Sequence, residues 1–576
     1  MKTARTITRQ KETGAHFTPP ELAVFVARRI LAGLTPKRQG IITVLDPSCG
    51  DGELLVAFAS QLTDAQLKRT VLIGVESDES SLARAKERLG ALAVSEVRLL
   101  NADFLELAQD NEQPELFAAY KPISSELPQA DFIIANPPYV RTQILGARKA
   151  QQLAESFALT GRVDLYQAFL VAMTNQLRPG GVLGVITSNR FLTTKGGSST
   201  RGFLNREFGI LEVFDLGDTK LFSAAVLPAV FVGKRKNVAN DAVENNPPRF
   251  VRIYEELSPT SSPKDAGYDS VLEIVEEQLT GTCSVGIRNY NVSAGILRIP
   301  TTPEEPWAMV TDVERKWIER VNAKAHFRIC DVAKVRVGIK TTADKVFVRR
   351  DWDELPKNIQ PENKLLHPVL SHDDAEKYRP IEGSMNRRVL YPHTVYQGKR
   401  STVDLDNYPK AQQYLEQHRT QLEQRTYVIE AGRKWYEIWV PQDPNAWQYP
   451  KVVFPDISPS PMFFLDTNGC IVDGNCYWIT LESIEKTDLL MLILGVANSN
   501  LMTKYHDLAF NNKLYSGRRR YLTQYVEKYP LPDPASDEGK RIIAAVGDIL
   551  AGKPRGPLDA AIEHELEKAF GVEWSD

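Results

Sequence analysis

Cysteine is scarce in this chain, and its five cysteines, at 49, 283, 330, 470 and 476, form neither a zinc-ligand spacing nor a disulfide framework. A reducing compartment and no metal centre are therefore expected. Long apolar runs are missing too. Nothing approaches the length of a membrane span, and the polar start MKTARTITRQK has no apolar signal core. A cytoplasmic protein is expected. Excess charge of one sign is also absent: 70 basic against 73 acidic residues leave a net charge of −3. Any nucleic-acid surface must then be built from local basic clusters, because no overall cationic field exists. No internal repeat or low-complexity tract interrupts the chain. What remains is 43% hydrophobic and 25% charged over 576 residues, the composition of a soluble globular chain of two or three domains.

The organising stretch is ADFIIANPPYV, residues Ala130–Val140. Asp131–Ala135 reads as a buried parallel strand, apolar and partly β-branched. Pro137 and Pro138 end it and stiffen the loop beyond, so Asn136 is held at a strand's C-terminal end, where open α/β sheets bind ligands. An amide oxygen on Asn136 and the carbonyl of Pro137 can accept both N–H bonds of a planar, conjugated amine. That favours the pyramidal nitrogen of a methyl-transfer transition state. Tyr139 offers a flat ring to stack on the amine's heterocycle. A Pro-rich strand exit with an ordinary Asn turn is the plainer reading of the motif taken alone.

Three more strands end in polar residues. Ile41–Leu45 runs into Asp46-Pro47-Ser48-Cys49-Gly50-Asp51-Gly52, then a helix at Glu53–Gln61. That loop is neither a dinucleotide fingerprint nor a P-loop, and Asp46 favours a cationic ligand over a phosphate. Val71–Val75 ends in Glu76, placed to bind ribose hydroxyls. Val97–Leu100 leads to Asp103, which can accept an exocyclic amine, and Phe104, which can pack on a ring. Upstream, Thr18 and Glu21 have capping-box spacing before a helix at Leu22–Leu34. Any one of Asp46, Glu76, Asp103 and Asn136 alone is more often a turn or cap residue; four successive strand ends in register are harder to dismiss.

These motifs resemble the class I S-adenosylmethionine-dependent methyltransferases, and within them the N6-adenine DNA methyltransferases of the gamma arrangement, the TaqI-like order. The resemblance lies in GAHFTPPELAVFV, DPSCGDG, VLIGVES, NADF and above all ANPPYV, across roughly residues 12–235. It implies an α/β, Rossmann-like class I methyltransferase domain with a mixed α+β C-terminal target-recognition domain. It further implies S-adenosyl-L-methionine as cofactor, lined by Phe17, Thr18, Pro19, Asp46, Pro47, Cys49, Gly50, Glu76, Asp103, Phe104 and Asn136. Asn136, Pro137 and Tyr139 would hold the target base, and Phe222 would supply a second stacking ring. Asp164–Phe169 would complete the cofactor pocket from a helix. The Gly/Ser/Thr-rich run Thr193–Gly202 is expected to be a mobile segment near the target strand.

The polar, proline-containing stretch 237–249 reads as a linker, which makes residues 1–236 catalytic and 250–576 a DNA-recognition domain. Stretches such as VRVGIKTT, RVLYP, KWYEIW and KVVFPDI resemble the TaqI-like target-recognition domain. Basic residues there alternate with aromatic ones: Arg387 and Arg388, Lys399 and Arg400, Arg433 and Lys434, and Arg518–Arg520, with Tyr391, Tyr396, Trp435, Tyr436 and Tyr521 between them. As a set they suggest a DNA-facing cleft, with Lys340, Arg388, Lys434, Arg518, Arg519 and Arg520 as DNA-binding residues. The function implied is methylation of adenine N6 in double-stranded DNA by a monomer, as the modification half of a restriction-modification system whose endonuclease acts separately. The motif also suits RNA or protein-glutamine methyltransferases, and a silent DNA-recognition subunit is a non-enzymatic alternative. Few residues precede Gly14, so no leading nuclease is expected.

Overall fold

The computed structural model describes residues 17–33, 40–109, 127–139, 147–157, 164–222, 227–237, 247–256, 266–381, 386–481, 487–511, 513–514 and 517–573. The chain divides into two compact units, Met1–Asp312 with Lys513–Gly517, and Val313–Asn512 with Arg518–Asp576.

The first unit is built on a sheet of eleven strands: β1 (Ile42–Asp46), β2 (Thr70–Glu76), β3 (Glu96–Asn101), β4 (Ala130–Ala135), β5 (Leu177–Ser188), β6 (Phe208–Asp215), β7 (Pro228–Arg235), β8 (Arg249–Glu256), β9 (Ala266–Tyr268), β10 (Gly281–Val285) and β11 (Arg288–Ile296). Their order is β3-β2-β1-β4-β5-β7-β6-β8-β11-β10-β9. Strands β3 to β5 run parallel, and β7 is antiparallel to both neighbours. The order reverses between β1 and β4, which makes that point the crevice where a doubly wound sheet binds ligands. Strand β4 is buried along its whole length, as its apolar run Phe132–Ala135 requires. Its one charged residue, Asp131, is buried with partners: its carboxylate accepts the Thr43 N–H (2.9 Å) and pairs with Arg178.

The expected linker is not where the fold divides. Strand β8 begins at Arg249 and pairs in parallel with β6, and β11 and β10 continue the same sheet. Residues 249–256 and 281–296 therefore extend the same sheet, because RFVRIY supplies a strand buried without a break from Phe250 to Tyr254, as a strand flanked on both sides by β6 and β11 requires. The first unit ends near Asp312 instead.

A second correction concerns Thr193–Gly202. The run is ordered: a short turn at Lys195–Gly197 leads into a helix, Ser198–Glu207. Arg201 fastens it. This guanidinium is almost wholly buried and donates to the carbonyls of Phe191 (2.7 Å), Thr194 (2.9 Å), Pro303 (3.0 Å) and Glu304 (3.1 Å). Composition read this segment as loop because Ser, Thr and Gly favour turns; a single buried cation overrides that preference.

The second unit packs around Trp352, Tyr414, Trp447 and Trp478. A four-stranded antiparallel sheet, Ala333–Val337, Cys476–Leu481, Lys451–Pro455 and Phe464–Asp466, carries several of the recognition-like stretches. Lys451 and Asp466 form a fully buried ion pair (2.7 Å), which Lys451 completes by donating to the Trp447 carbonyl. The unit ends in helices Asp537–Leu550 and Arg555–Phe570. Among the described residues no helix is long and apolar enough to cross a membrane.

Replacing Arg201 with Ala strips several buried carbonyls of a charged donor and should cost at least about 3 kcal/mol. Hydrogen exchange over 193–207 tests this: slow in the parent protein, fast in the variant. Fast exchange in both would return the run to a loop.

Candidate active site at the strand ends

Asp46 is the last residue of β1, and its side chain is fully buried. The Ser48 N–H donates to its Oδ1 (3.1 Å), while Oδ2 is buried with no hydrogen-bond partner among the described residues. Burial pushes the carboxyl up from 3.8 to about 8; the Ser48 bond opposes this, and the nearby Glu76 charge adds to it. A buried acceptor with an open oxygen is costly unless a ligand completes it. A cationic or N–H-bearing ligand would do so.

The loop beyond Asp46 turns on Gly50 (φ +55°) and Gly52 (φ +83°), left-handed conformations that suit glycine. Cys49 does not present its thiol to a ligand. It is buried against Gly74, where an added Cβ would lie 2.8 Å from Sγ. Burial, then the charges of Asp46 and Glu76, raise that thiol's pKa far above its usual value, so it stays a neutral packing group. Pro47 is buried as well. Glu76 ends β2 and accepts the N–H groups of Gly50 (2.9 Å) and Asp78 (2.8 Å), which holds the glycine loop to the second strand. Asp103 follows β3 and accepts the Leu105 N–H (2.9 Å), opening the helix Phe104–Gln109. Phe104 is 2% exposed and stacks on Phe169, with ring centroids 5.7 Å apart. Its ring packs into the core beside the strand end.

At the end of β4, Asn136 is held from both sides. Its Nδ2 donates to the Thr18 hydroxyl (3.1 Å), and its Oδ1 accepts the Tyr139 hydroxyl (2.9 Å). Burial raises the Tyr139 phenol well above its usual range, so it stays protonated and remains a donor. The Ser48 hydroxyl donates to the Asn136 carbonyl (3.4 Å), which joins the Asp46 loop to the NPPY corner. Pro137 is buried.

Thr18 is therefore not a helix cap. The helix runs Pro20–Ala32, Pro19 occupies its N-cap, and no side chain caps it. The capping-box spacing at Thr18 and Glu21 misled because Thr18 bonds a residue 118 positions away, which local rules cannot foresee. Phe17, 54% exposed, lies over Gly50, with the Arg84 guanidinium 5.9 Å from its ring centroid. Asp164 and Gln167 form a capping box on the helix Leu165–Gln176, and Gln167 donates to Ser199 and Thr200.

Phe222 departs from expectation. It is 9% exposed and belongs to the core cluster that includes Phe25, Phe214 and Leu216, so its ring is not displayed for stacking. Its apolar neighbours drew it inward, which the motif match could not register. The strand ends also hold a group that sequence reasoning missed. Asn189, just past β5, donates to Asp215 Oδ1 and to the Tyr254 hydroxyl (both 3.0 Å), and Tyr254 donates to Asp215 Oδ2 (2.7 Å). Burial raises the pKa of Asp215, and the Tyr254, Asn189 and Gly217 bonds oppose that rise. An Asp closing β6 was the available signal; Tyr254 lies on a strand the expected linker had severed from this unit.

The expected DNA-binding cations fall into two groups. Arg388 pairs with Asp353 (2.5 Å), Arg519 with Asp507 (2.7 and 2.8 Å), and Arg520 with Asp456 (3.0 Å). These three are tied to carboxylates. Lys340, Lys434 and Arg518 are exposed. Among the described residues no cluster of His, Cys, Asp and Glu could hold a metal ion.

Strand order and strand-end site together define a class I methyltransferase fold. The chain is similar to the type IIL restriction-modification enzyme MmeI, solved in complex with DNA (TM-score 0.62, 13% identity, covering 99% of this chain and 78% of that one). Residues 68–222 match the Eco57I restriction-modification methylase family. Over 575 residues the chain is 46% identical to the type II methyltransferase M.BanIII of Aneurinibacillus aneurinilyticus, covering 98% of each. It is also 26% identical to the type II methyltransferase M.XhoI of Xanthomonas vasicola, covering 90% of this chain and 91% of that one. The chain belongs to the type II methyltransferases of restriction-modification systems.

Asp46 gives a pH signature. With its carboxyl near 8 in the fold and 3.8 otherwise, the folded form carries an extra proton between about pH 4 and pH 8. Stability should therefore fall as pH rises through that window, more steeply than in Asp46→Asn. A bound cation that keeps the carboxylate ionised should flatten the difference. Parallel melting curves of the two proteins would count against the buried carboxyl.

Proposed function

We propose that the protein transfers a methyl group from S-adenosylmethionine to N6 of an adenine flipped out of duplex DNA. It would act as the modification half of a restriction-modification system, in the cytoplasm, as a monomer, with a separate endonuclease as its counterpart. The observation that carries this reading is the junction of two loops. The loop bearing the open Asp46 carboxylate and the corner bearing the Asn136 amide are joined through Ser48.

The donor set fits the cofactor. Asp46 would pair with its ammonium group, Glu76 would accept from ribose hydroxyls, Asp103 would accept from the adenine amine, and Phe17 would cover the loop at Gly50. When bound, S-adenosylmethionine supplies a methyl group on a sulfonium whose departing thioether is neutral.

The target N6 lies inside the helical stack, so the base must leave it to be reached. The Asn136 amide oxygen and the Pro137 carbonyl would then accept its two N–H bonds. Fixed acceptors of this kind withdraw the nitrogen lone pair from the ring and stabilise the pyramidal transition state. The nitrogen becomes acidic on methylation and releases its proton without a strong base. Tyr139 competes with the target amine for Asn136 Oδ1, since its hydroxyl already donates there. Its ring would serve as a stacking face once the hydroxyl is displaced. The type II relatives and the fold shared with a DNA-bound restriction-modification enzyme support duplex DNA as substrate.

Sequencing for N6-methyladenine in DNA treated with the purified protein tests the substrate, atom and specificity together. Methyl groups confined to adenine in one recurring word are expected; methylated cytosine, or modification of RNA or protein alone, would overturn the reading. Tyr139→Phe should keep most activity because the ring remains and a competitor for Asn136 is gone. Tyr139→Ala should lose about tenfold or more, in line with a stacking contribution of about 1–3 kcal/mol. Equal loss in both would move the role of Tyr139 from ring to hydroxyl.

A further inference from the structure

We infer that the β-hairpin His393–Thr402 of the second unit enters a DNA groove and that Gln397 at its tip reads a base edge. This inference builds on the proposed duplex substrate and names the element that would meet it.

The hairpin forms a two-stranded sheet of its own, with His393 opposite Thr402 and Tyr396 opposite Lys399. A two-stranded ribbon is a shape the major groove admits. All five residues from Tyr396 to Arg400 are exposed, Tyr396 to 67%. From His393 to Thr402 the hairpin has two residues of the Lys/Arg type, Lys399 and Arg400, and no acidic one, although the whole chain is net negative. A polyanion is the matching partner.

The tip is strained where it projects. Gln397 has φ +49° and Gly398 φ +71°, so both central turn residues are left-handed. Such turns favour Asn, Asp or Gly in the first position, because short side chains tolerate that conformation best. A longer Gln bears an avoidable cost there, and backbone outliers of this kind cluster at functional sites. Gln can bond an adenine edge through both ends of its amide, while Lys399 and Arg400 suit phosphate or guanine.

Below the tip the root is fixed. His393 Nε2 accepts the Ile438 N–H (3.1 Å), and the Tyr436 hydroxyl donates to the Val403 carbonyl (3.0 Å). Tyr391 donates to the Pro441 carbonyl (2.6 Å). Burial, then the charges of Arg400 and Arg433, push His393 down to about 3, so it stays a neutral acceptor at working pH. A rigid root with an exposed, basic, polar tip is the build of a reading head. Exposed side chains on a solvated turn would not need that anchoring.

The test compares the parent enzyme with Gln397→Gly and with Lys399→Ala/Arg400→Ala, using a random-sequence duplex library and sequencing of methylated sites. Gly suits the left-handed turn and carries no amide, so Gln397→Gly should melt at about the same temperature as the parent. It should nevertheless relax the methylated word at one position by about tenfold or more, as loss of a bidentate base contact does. The double variant should lower the slope of log affinity against log salt by about 2, close to one unit per lost phosphate contact. If the parent enzyme binds and methylates duplex DNA while both variants match it in word and slope, the hairpin inference fails. A lower slope with an unchanged word overturns the base-reading role of Gln397. If the parent enzyme itself ignores duplex DNA, the proposed function fails and not merely the hairpin.

Discussion

Two hydroxyl groups hold the amide of Asn136, one from Thr18 and one from Tyr139, and much of the site's geometry depends on that clamp. An amide on a free loop would point wherever solvent took it. Here the strand below it is buried along its length, the prolines after it restrict the backbone, and each end of the amide has a partner. Acceptors fixed before the reaction need no reorganisation during it, which is where preorganised dipoles gain their effect. The clamp also explains why the segment before the first described helix matters: Thr18 reaches the corner across 118 positions of sequence.

A buried carboxylate with one oxygen unpartnered sits beside this clamp. Asp46 would be an odd structural residue, because nothing described completes its hydrogen bonding and burial keeps its carboxyl near 8. As a binding group it makes sense, since a cation would relieve the cost. The Asn189–Asp215–Tyr254 network closes the neighbouring strand ends with every member bonded, so the same burial there produces rigidity and no open acceptor.

How much of this was readable in advance depended on whether the signal was local. The positions of strands β1 to β5 along the chain came from apolar runs and the polar residues that follow them, because a buried parallel strand advertises itself by composition. Asp46, Glu76 and Asn136 fell at strand ends as expected. Misreadings arose where a distant partner decided the outcome. Thr18 bonds Asn136 instead of capping a helix, Arg201 orders a segment rich in turn-formers, and Phe222 joins the core. The domain boundary moved because a polar stretch looks like a linker whether or not the next strand returns to the sheet, and β8 does return. Basic residues were the least legible class. Arg519 and Arg520 read as a cationic patch, yet each is matched by a carboxylate, Asp507 on the preceding helix and Asp456 64 positions back. Charge that is free to meet DNA can be told from charge already spent only when partners are seen.

The claim that matters most is that the fixed Asn136 amide makes a weakly nucleophilic nitrogen reactive. Single-turnover methylation by Asn136→Ala, at saturating cofactor and DNA, measures it most directly. The account predicts a rate lower by about 10²–10³-fold, the usual cost of losing one preorganised partner of a transition state, with cofactor and DNA affinities little changed. A rate within a few-fold of the parent enzyme, or a loss traceable wholly to weaker binding, would contradict it.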